Sequence, residues 1–218
     1  MASLARDLAL ILDMDGVIIH SNPLHRIAWE QYSRRFGIET DEAMHQRMYG
    51  RRNDDIVRDF FGPQLTPEQV HEHGAAKERL YRELMGPVVK ESLVPGVVEF
   101  LARHRSLPVA MATSAEPENV EFLLEAAGLR PFFRAIVDGH QVHAPKPHPE
   151  IYLKAAGMLQ ASPGDCVAFE DSFAGIESAR SAGMMVVGVQ TTHDDLPGVD
   201  LQIRDFKSPE LEPWLASR

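Results

Sequence analysis

Five short apolar runs, at residues 8–12, 109–113, 135–138, 166–169 and 185–189, constrain the fold more than any other feature of the chain. Each is continuous and does not alternate with polar residues, as expected of strands covered on both faces in a parallel sheet. Helical patterns separate the last four. Pro117 opens one and Gly128 follows its end, Pro149 opens another, and a third begins at Phe173 and stops at Gly183. Strand and helix alternating in this way imply right-handed crossovers and an α/β fold, a Rossmann-like three-layer α/β/α sandwich around a parallel sheet.

About eighty residues separate the first two runs, and almost all of them carry helix signals. Asn22 is expected to cap a helix with Pro23 at its first position, Leu24, Ile27, Ala28 and Tyr32 on one face, and Gly37 past its end. Thr66, Pro67 and Gln69 form the signature of a capping box, opening a long helix that reaches about Gly86. A shorter helix, 54–61, fits between them. The expected organisation is a core of residues 1–20 and 92–218 with an all-helical cap domain, 21–91, inserted after the first strand.

Each run ends in polar residues: Asp13 and Asp15 with Gly16, then Thr113 and Ser114, then Asp138 with Lys146 shortly after, then Glu170 and Asp171. Ligands of open parallel sheets bind beyond the carboxyl ends of the strands, so these groups are expected to meet. Carboxylates brought together repel one another and need a cation. An all-oxygen donor set without His or Cys selects a hard ion, and Mg2+ is the usual one for phosphate chemistry. Lys146 and the Thr113 hydroxyl are donors suited to an anion. Together they describe phosphoryl transfer. In that chemistry Asp13 can attack phosphorus, and Asp15 can protonate the leaving oxygen and later deprotonate the acceptor. Gly16 allows a tight turn beside the phosphate. A calcium loop is excluded, because Gly16 falls at the fourth position where such a loop has it at the sixth.

In order and spacing, Asp13-Met14-Asp15-Gly16-Val17, Thr113-Ser114, Lys146-Pro147-His148-Pro149 and Glu170-Asp171-Ser172-Phe173-Ala174-Gly175 resemble the four motifs of haloacid-dehalogenase-superfamily phosphotransferases. The resemblance covers nearly the whole chain. It implies a catalytic set of Asp13 as nucleophile, Asp15 as general acid/base, and Thr113 and Lys146 as phosphate ligands. It implies Mg2+ held by Asp13, the backbone carbonyl of Asp15, and Asp171, with Glu170 assisting directly or through water. The helical insertion resembles that family's mobile cap. The Asp-Gly-Val start, His25 with Trp29, Gly50, and Lys77 followed by Tyr81 are most similar to the beta-phosphoglucomutase-like branch. That branch carries an Arg three residues beyond the cap-loop glycine, where this chain has Asn53; Arg51 and Arg52 stand just before it. His20 precedes Ser21 where the family usually has Asp. Gly16, Ser114, His25, Gly50, Arg51, Arg52, Asn53 and Lys77 are the candidate substrate contacts. For the basic residues among them, solvated surface charge is the alternative reading.

The formal net charge of -10 argues against a surface built to neutralise nucleic-acid phosphates or anionic lipid. The single cysteine, Cys166, permits no internal disulfide and is expected in the core. His71 and His73, two apart on a helix, do not share a face and are no metal pair. The apolar run after Arg6 is too short for a signal-peptide core or a membrane span. A cytoplasmic monomer acting on a small phosphorylated metabolite is expected, with no nucleic-acid or membrane partner. The leading reading is a Mg2+-dependent phosphatase hydrolysing a small metabolite, a sugar phosphate, through an aspartyl phosphate. The alternatives are a hexose-phosphate mutase, which hands the phosphoryl group to a sugar hydroxyl, and a phospho-acceptor receiver module. A receiver needs no cap, and its acceptor follows the third strand, where only Asp138 is available.

Overall fold

The computed structural model describes residues 8–218, and residues 1–7 of the expected core, Arg6 among them, lie outside it. Six strands, β1 (Ala9–Leu12), β2 (Val109–Ala112), β3 (Ala135–Val137), β4 (Cys166–Glu170), β5 (Met185–Val189) and β6 (Leu201–Ile203), pair in parallel in the order β3-β2-β1-β4-β5-β6. The sheet grows outward from β1 in one direction through β2 and β3. It then resumes on β1's other side with β4, β5 and β6. The reversal falls between β1 and β4, which is where open α/β sheets form a crevice at the strands' carboxyl ends.

Alternate residues of each strand enter different cores, as the two-residue period of a strand requires. Leu10, Leu12, Val109, Met111 and Phe169 pack into one cluster with Phe100, Leu123 and Leu215. These come from α5 (Val97–Arg103), α6 (Pro117–Ala127) and α9 (Leu211–Leu215). Ala9, Ala110, Ala112 and Ala168 line the opposite face with Ile11 and Cys166. Their small side chains let α7 (Glu150–Leu159) and α8 (Phe173–Ser181) lie close, through Tyr152, Ala155, Ile176 and Ala179. Cys166 is a core residue.

Between β1 and α5 stand α1 (Asn22–Arg34), α2 (Glu42–Met48), α3 (Asn53–Phe61) and α4 (Pro67–Met85). They share a separate hydrophobic cluster of Trp29, Tyr32, Met48, Ile56, Val57, Phe60 and Val70. The chain leaves and re-enters the sheet domain along one antiparallel seam, with His20 N–H donating to Ser92 O at 2.7 Å and Val94 N–H to Ile18 O at 3.0 Å. The lobe also packs against the sheet domain, through Ala28, Tyr81 and Met85 in the first cluster.

The capping box at Thr66 and Gln69 forms as the sequence indicates. The expectation for Asn22 is corrected: Ser21 occupies the N-cap position without a side-chain cap bond, and Asn22 is the first helical residue. Its amide is drawn instead to Asp171 and Thr192. Helix α2 is an addition to the sequence reading. Asp41 caps it, accepting from Met44 N–H at 2.7 Å. No helix among the described residues is long and apolar enough to cross a membrane.

Candidate active site

Asp13 follows β1, Thr113 follows β2, Glu170 ends β4 and Asp171 follows it, and Lys146 reaches the same point from the segment between β3 and α7. All five are buried. Lys146 Nζ donates to Glu170 Oε1 at 2.6 Å and to the Ala112 carbonyl at 3.2 Å. It also stands 3.2 Å from Asp13 Oδ1, without the alignment of a hydrogen bond, so that oxygen is buried and unpartnered.

Oxygens of Asp13, Glu170 and Asp171 lie within 4.8 Å of one another. Burial pushes the Asp13 carboxyl up to about 7, against the pull of Lys146, with Glu170 and Asp15 adding to the rise. Burial likewise raises Asp171 well above the carboxylate range, and Glu170 and Asp13 reinforce it. Burial alone would lower the Lys146 ammonium, but its two carboxylate neighbours raise it. An all-oxygen cluster with an orphaned, buried Asp13 oxygen and too little positive charge fits a hard divalent cation.

Glu170 is the most fully bonded acid of the cluster. Besides Lys146 it accepts from the Tyr152 hydroxyl at 2.6 Å, the Ser172 hydroxyl at 3.1 Å and the Asp171 N–H at 3.1 Å. Asp171 accepts from Asn22 Nδ2 at 3.2 Å and from the Thr192 hydroxyl. Two glycines make room for these acids. A Cβ on Gly16, where φ is +76°, would stand 1.8 Å from Asp171 Oδ2, and one on Gly175 would stand 2.0 Å from the Glu170 carboxyl. Neither space exists for any other residue.

Asp15 turns towards the cap. Ser21 Oγ donates to its Oδ1 at 2.5 Å, and His25 Nε2 is 3.4 Å away. Burial would raise this carboxyl, but His25 and Ser21 hold it below its usual value. His25 stacks on Tyr81 with centroids 3.7 Å apart, and its Nδ1 is 3.1 Å from Lys77 Nζ. Thr113 Oγ1 accepts from Ala115 N–H at 3.1 Å, which leaves its proton to donate into the site.

The pocket at this point is lined by residues of both lobes, including Asp13, Asp15, Trp29, Lys77, Thr113 and Asp171. Cap and sheet domain meet around it. The Ser114 hydroxyl donates to the Gly50 carbonyl at 3.0 Å, and Arg52 Nη2 to the Val142 carbonyl at 2.6 Å. Arg51, Asn53 and His25 also line it. Asp138 stands apart from the acids: its carboxylate caps its own turn, accepting from His140 N–H and Gln141 Nε2.

Sequence reasoning passed over Tyr152, Thr192, Glu78, Asn119 and the aim of Asn22. Tyr152 carried a signal, since a tyrosine on the core face of a helix needs a partner for its hydroxyl.

A family model described as haloacid dehalogenase-like hydrolase matches residues 8–183. The chain is 32% identical over 209 residues to the beta-phosphoglucomutase of Bacillus subtilis (strain 168), covering 94% of this chain and 92% of that protein. It is 32% identical over 183 residues to the fructose-1-phosphate phosphatase YqaB of Escherichia coli (strain K12), covering 83% and 95%. The crystal structure of beta-phosphoglucomutase from Clostridium difficile superposes with a TM-score of 0.85 at 25% identity, over 96% of both chains.

Proposed function

The chain belongs to the haloacid dehalogenase-like hydrolases, enzymes acting on phosphate esters, and from that membership we propose a Mg2+-dependent phosphatase that hydrolyses a small phosphorylated sugar through an aspartyl phosphate. The observation that carries the reading is the buried, unpartnered Asp13 oxygen, set 3.2 Å from Lys146 on a residue that lines a pocket shared by the two lobes. A carboxylate oxygen without a hydrogen-bond partner is available as a nucleophile. Relatives of equal identity, one named a mutase and one a sugar-phosphate phosphatase, support a phosphorylated sugar as substrate.

In this reading Lys146 and the Thr113 hydroxyl grip the phosphoryl oxygens, and an Asp13 oxygen attacks phosphorus as the bond to the ester oxygen breaks. Asp15 is ionised at rest; a phosphate dianion beside it raises its proton affinity, so that it takes a proton from solvent as the substrate binds and delivers it to the departing alkoxide. It then takes a proton from the water that attacks the aspartyl phosphate, releasing inorganic phosphate and restoring Asp13. Asp13, Asp171 and the Asp15 carbonyl would hold Mg2+, with Glu170 assisting directly or through water. The metal would neutralise charge gathering on the transferred group. The helices of residues 21–91 act as a cap that rocks on the seam at His20 and Ser92, closing to exclude bulk water and opening to exchange product.

Phosphate release from a panel of sugar phosphates, with Mg2+ and with EDTA, tests this function. The wild type releases phosphate only with the metal, and Asp13→Asn releases none. Conversion of beta-glucose 1-phosphate to glucose 6-phosphate, primed by a trace of the 1,6-bisphosphate and without free phosphate, would replace the phosphatase with a mutase.

A further inference from the structure

Beyond the phosphate end, Arg51 and Lys77 of the cap line the pocket while Arg52 does not, and all three are already engaged. Arg51 Nη1 donates to Asp59 at 2.6 Å, and Arg52 Nη2 to the Val142 carbonyl. Lys77 Nζ donates to Glu78 Oε1 at 2.5 Å and lies 4.7 Å above the Trp29 ring. Glu78 is braced further, its Oε1 accepting from Asn53 Nδ2 at 2.7 Å and its Oε2 from Asn119 Nδ2 at 2.7 Å. Glu116 lines the same wall and pairs with His140 at 2.6 Å. Lining this end, the buried Lys77 ammonium and the ion-paired Arg51 therefore stand against the Glu78 and Glu116 carboxylates.

We propose that Glu78 sets the substrate class: by occupying Lys77, it makes the distal pocket a site for an uncharged, hydroxyl-bearing group and closes it to a second phosphate. The inference rests on the phosphate-ester reading of the site above. A second phosphate would have to shed its water opposite a fixed carboxylate, with no free cation to receive it. Sugar hydroxyls face no such barrier. They accept from Lys77 and Asn119 and donate to Glu78, the kind of array that discriminates through hydrogen bonds left unmade. Tight bracing by two amides keeps Glu78 ionised and in place, which is what a rejecting group needs.

The test is binding by calorimetry in the Asp13→Asn background with Mg2+ present, where turnover does not enter. The probes are glucose 6-phosphate and glucose 1,6-bisphosphate. The monophosphate binds at least about tenfold tighter, and adding Glu78→Gln narrows that ratio about tenfold or more, the order of effect of one charge in a partly buried site. Bisphosphate binding as tight as the monophosphate in the Asp13→Asn parent overturns the proposal, as does a ratio unmoved by Glu78→Gln. Should Glu78→Gln not fold, the more accessible Glu116→Gln decides, because removing the second carboxylate must narrow the ratio in the same direction; an unchanged or wider ratio rejects it. Phosphate release by the wild type is read separately. A chain with the expected binding ratio that releases no phosphate loses the hydrolytic reading and keeps this one, whereas one that hydrolyses esters but binds both probes alike does the reverse.

Discussion

The Lys146 ammonium donates to Glu170 at 2.6 Å inside a fully buried site, and this pair, backed by Tyr152, aims the cation at Asp13. Replacing Lys146 with Met removes the phosphate donor of the proposed mechanism and leaves Glu170 short of its principal partner. Turnover should fall by about 100-fold or more, as for loss of a donor to developing charge. Stability should drop by roughly 3–5 kcal/mol, the cost of breaking a buried pair. Tyr152→Phe takes away one neutral donor, so urea unfolding should show a smaller loss of about 1–3 kcal/mol. Equal losses for the two substitutions would mean that the ion pair contributes nothing beyond an ordinary hydrogen bond.

Glycines of one helix type separate packing from propensity. On α8, a Cβ at Gly175 meets the Glu170 carboxyl at 2.0 Å, while on α7 a Cβ at Gly157 meets nothing within 4 Å. Gly157→Ala should therefore stabilise the protein by about 0.5–1 kcal/mol, through backbone entropy alone. Gly175→Ala should destabilise it by about 1–3 kcal/mol and displace Glu170 from Lys146. Denaturant midpoints of the two variants, compared with the wild type, must move in opposite directions.

The strands and the acids at their ends were legible because both signals are local: a continuous apolar run, then Asp, Thr or Glu. Strand β6 was not, because its three residues include Gln202 and run too short for a period. The partners of the acids lay beyond reach for a different reason. Asn22 is 149 positions from Asp171, and Glu78 is 41 from Asn119, so nothing in the neighbourhood of either residue marks the pairing. Helix starts favour Asn for local reasons, but at Asn22 the buried Asp171 carboxylate overrides that preference. The cap basic residues were legible as candidates only; that Arg51 and Arg52 turn to Asp59 and Val142 is a tertiary fact.

Metal binding should compete with protons. The Asp13 carboxyl, held up at about 7 by burial, must be ionised to ligate a cation. At about pH 6.5 Mg2+ should displace on the order of one proton, and its apparent affinity should weaken as pH falls further below 7. Calorimetry in two buffers of different ionisation enthalpy counts the proton. The sign for folding of the metal-free chain is set by the raised value: this carboxyl opposes folding once ionised, so its contribution is best below about 4 and is lost as pH rises through about 7. EDTA should abolish phosphate release at every pH.

Glu78 gives the opposite dependence. Burial alone would raise it, but Lys77 and His25 hold it at about 2, far below the ordinary 4.5. Its stabilising contribution is complete above about 4.5 and is lost as pH falls towards 2, with an upper bound on the order of 3 kcal/mol. Between pH 5 and 3, values set by that window, Glu78→Gln should lose less stability than the wild type. Parallel pH profiles from urea unfolding would show that Glu78 titrates alike in the folded and unfolded chains.

The role of Asp15 is separable from mere structure by the leaving group. A proton delivered to the ester oxygen matters most when that oxygen would otherwise depart as a strongly basic alkoxide, as from glucose 6-phosphate. It matters little for p-nitrophenyl phosphate, whose phenolate leaves unaided. Asp15→Asn should therefore lower kcat/KM for glucose 6-phosphate by about 100- to 10,000-fold, the range of general acid catalysis, and that for p-nitrophenyl phosphate at least about tenfold less. The ratio kcat/KM is the right measure, because it stops at release of the leaving group and ignores the later step in which Asp15 acts as base. Damage confined to positioning, through the Ser21 and His25 contacts at 2.5 and 3.4 Å, would lower both substrates alike. An equal fall for the two esters thus assigns the proton to another donor and leaves Asp15 as a brace between the sheet and the cap.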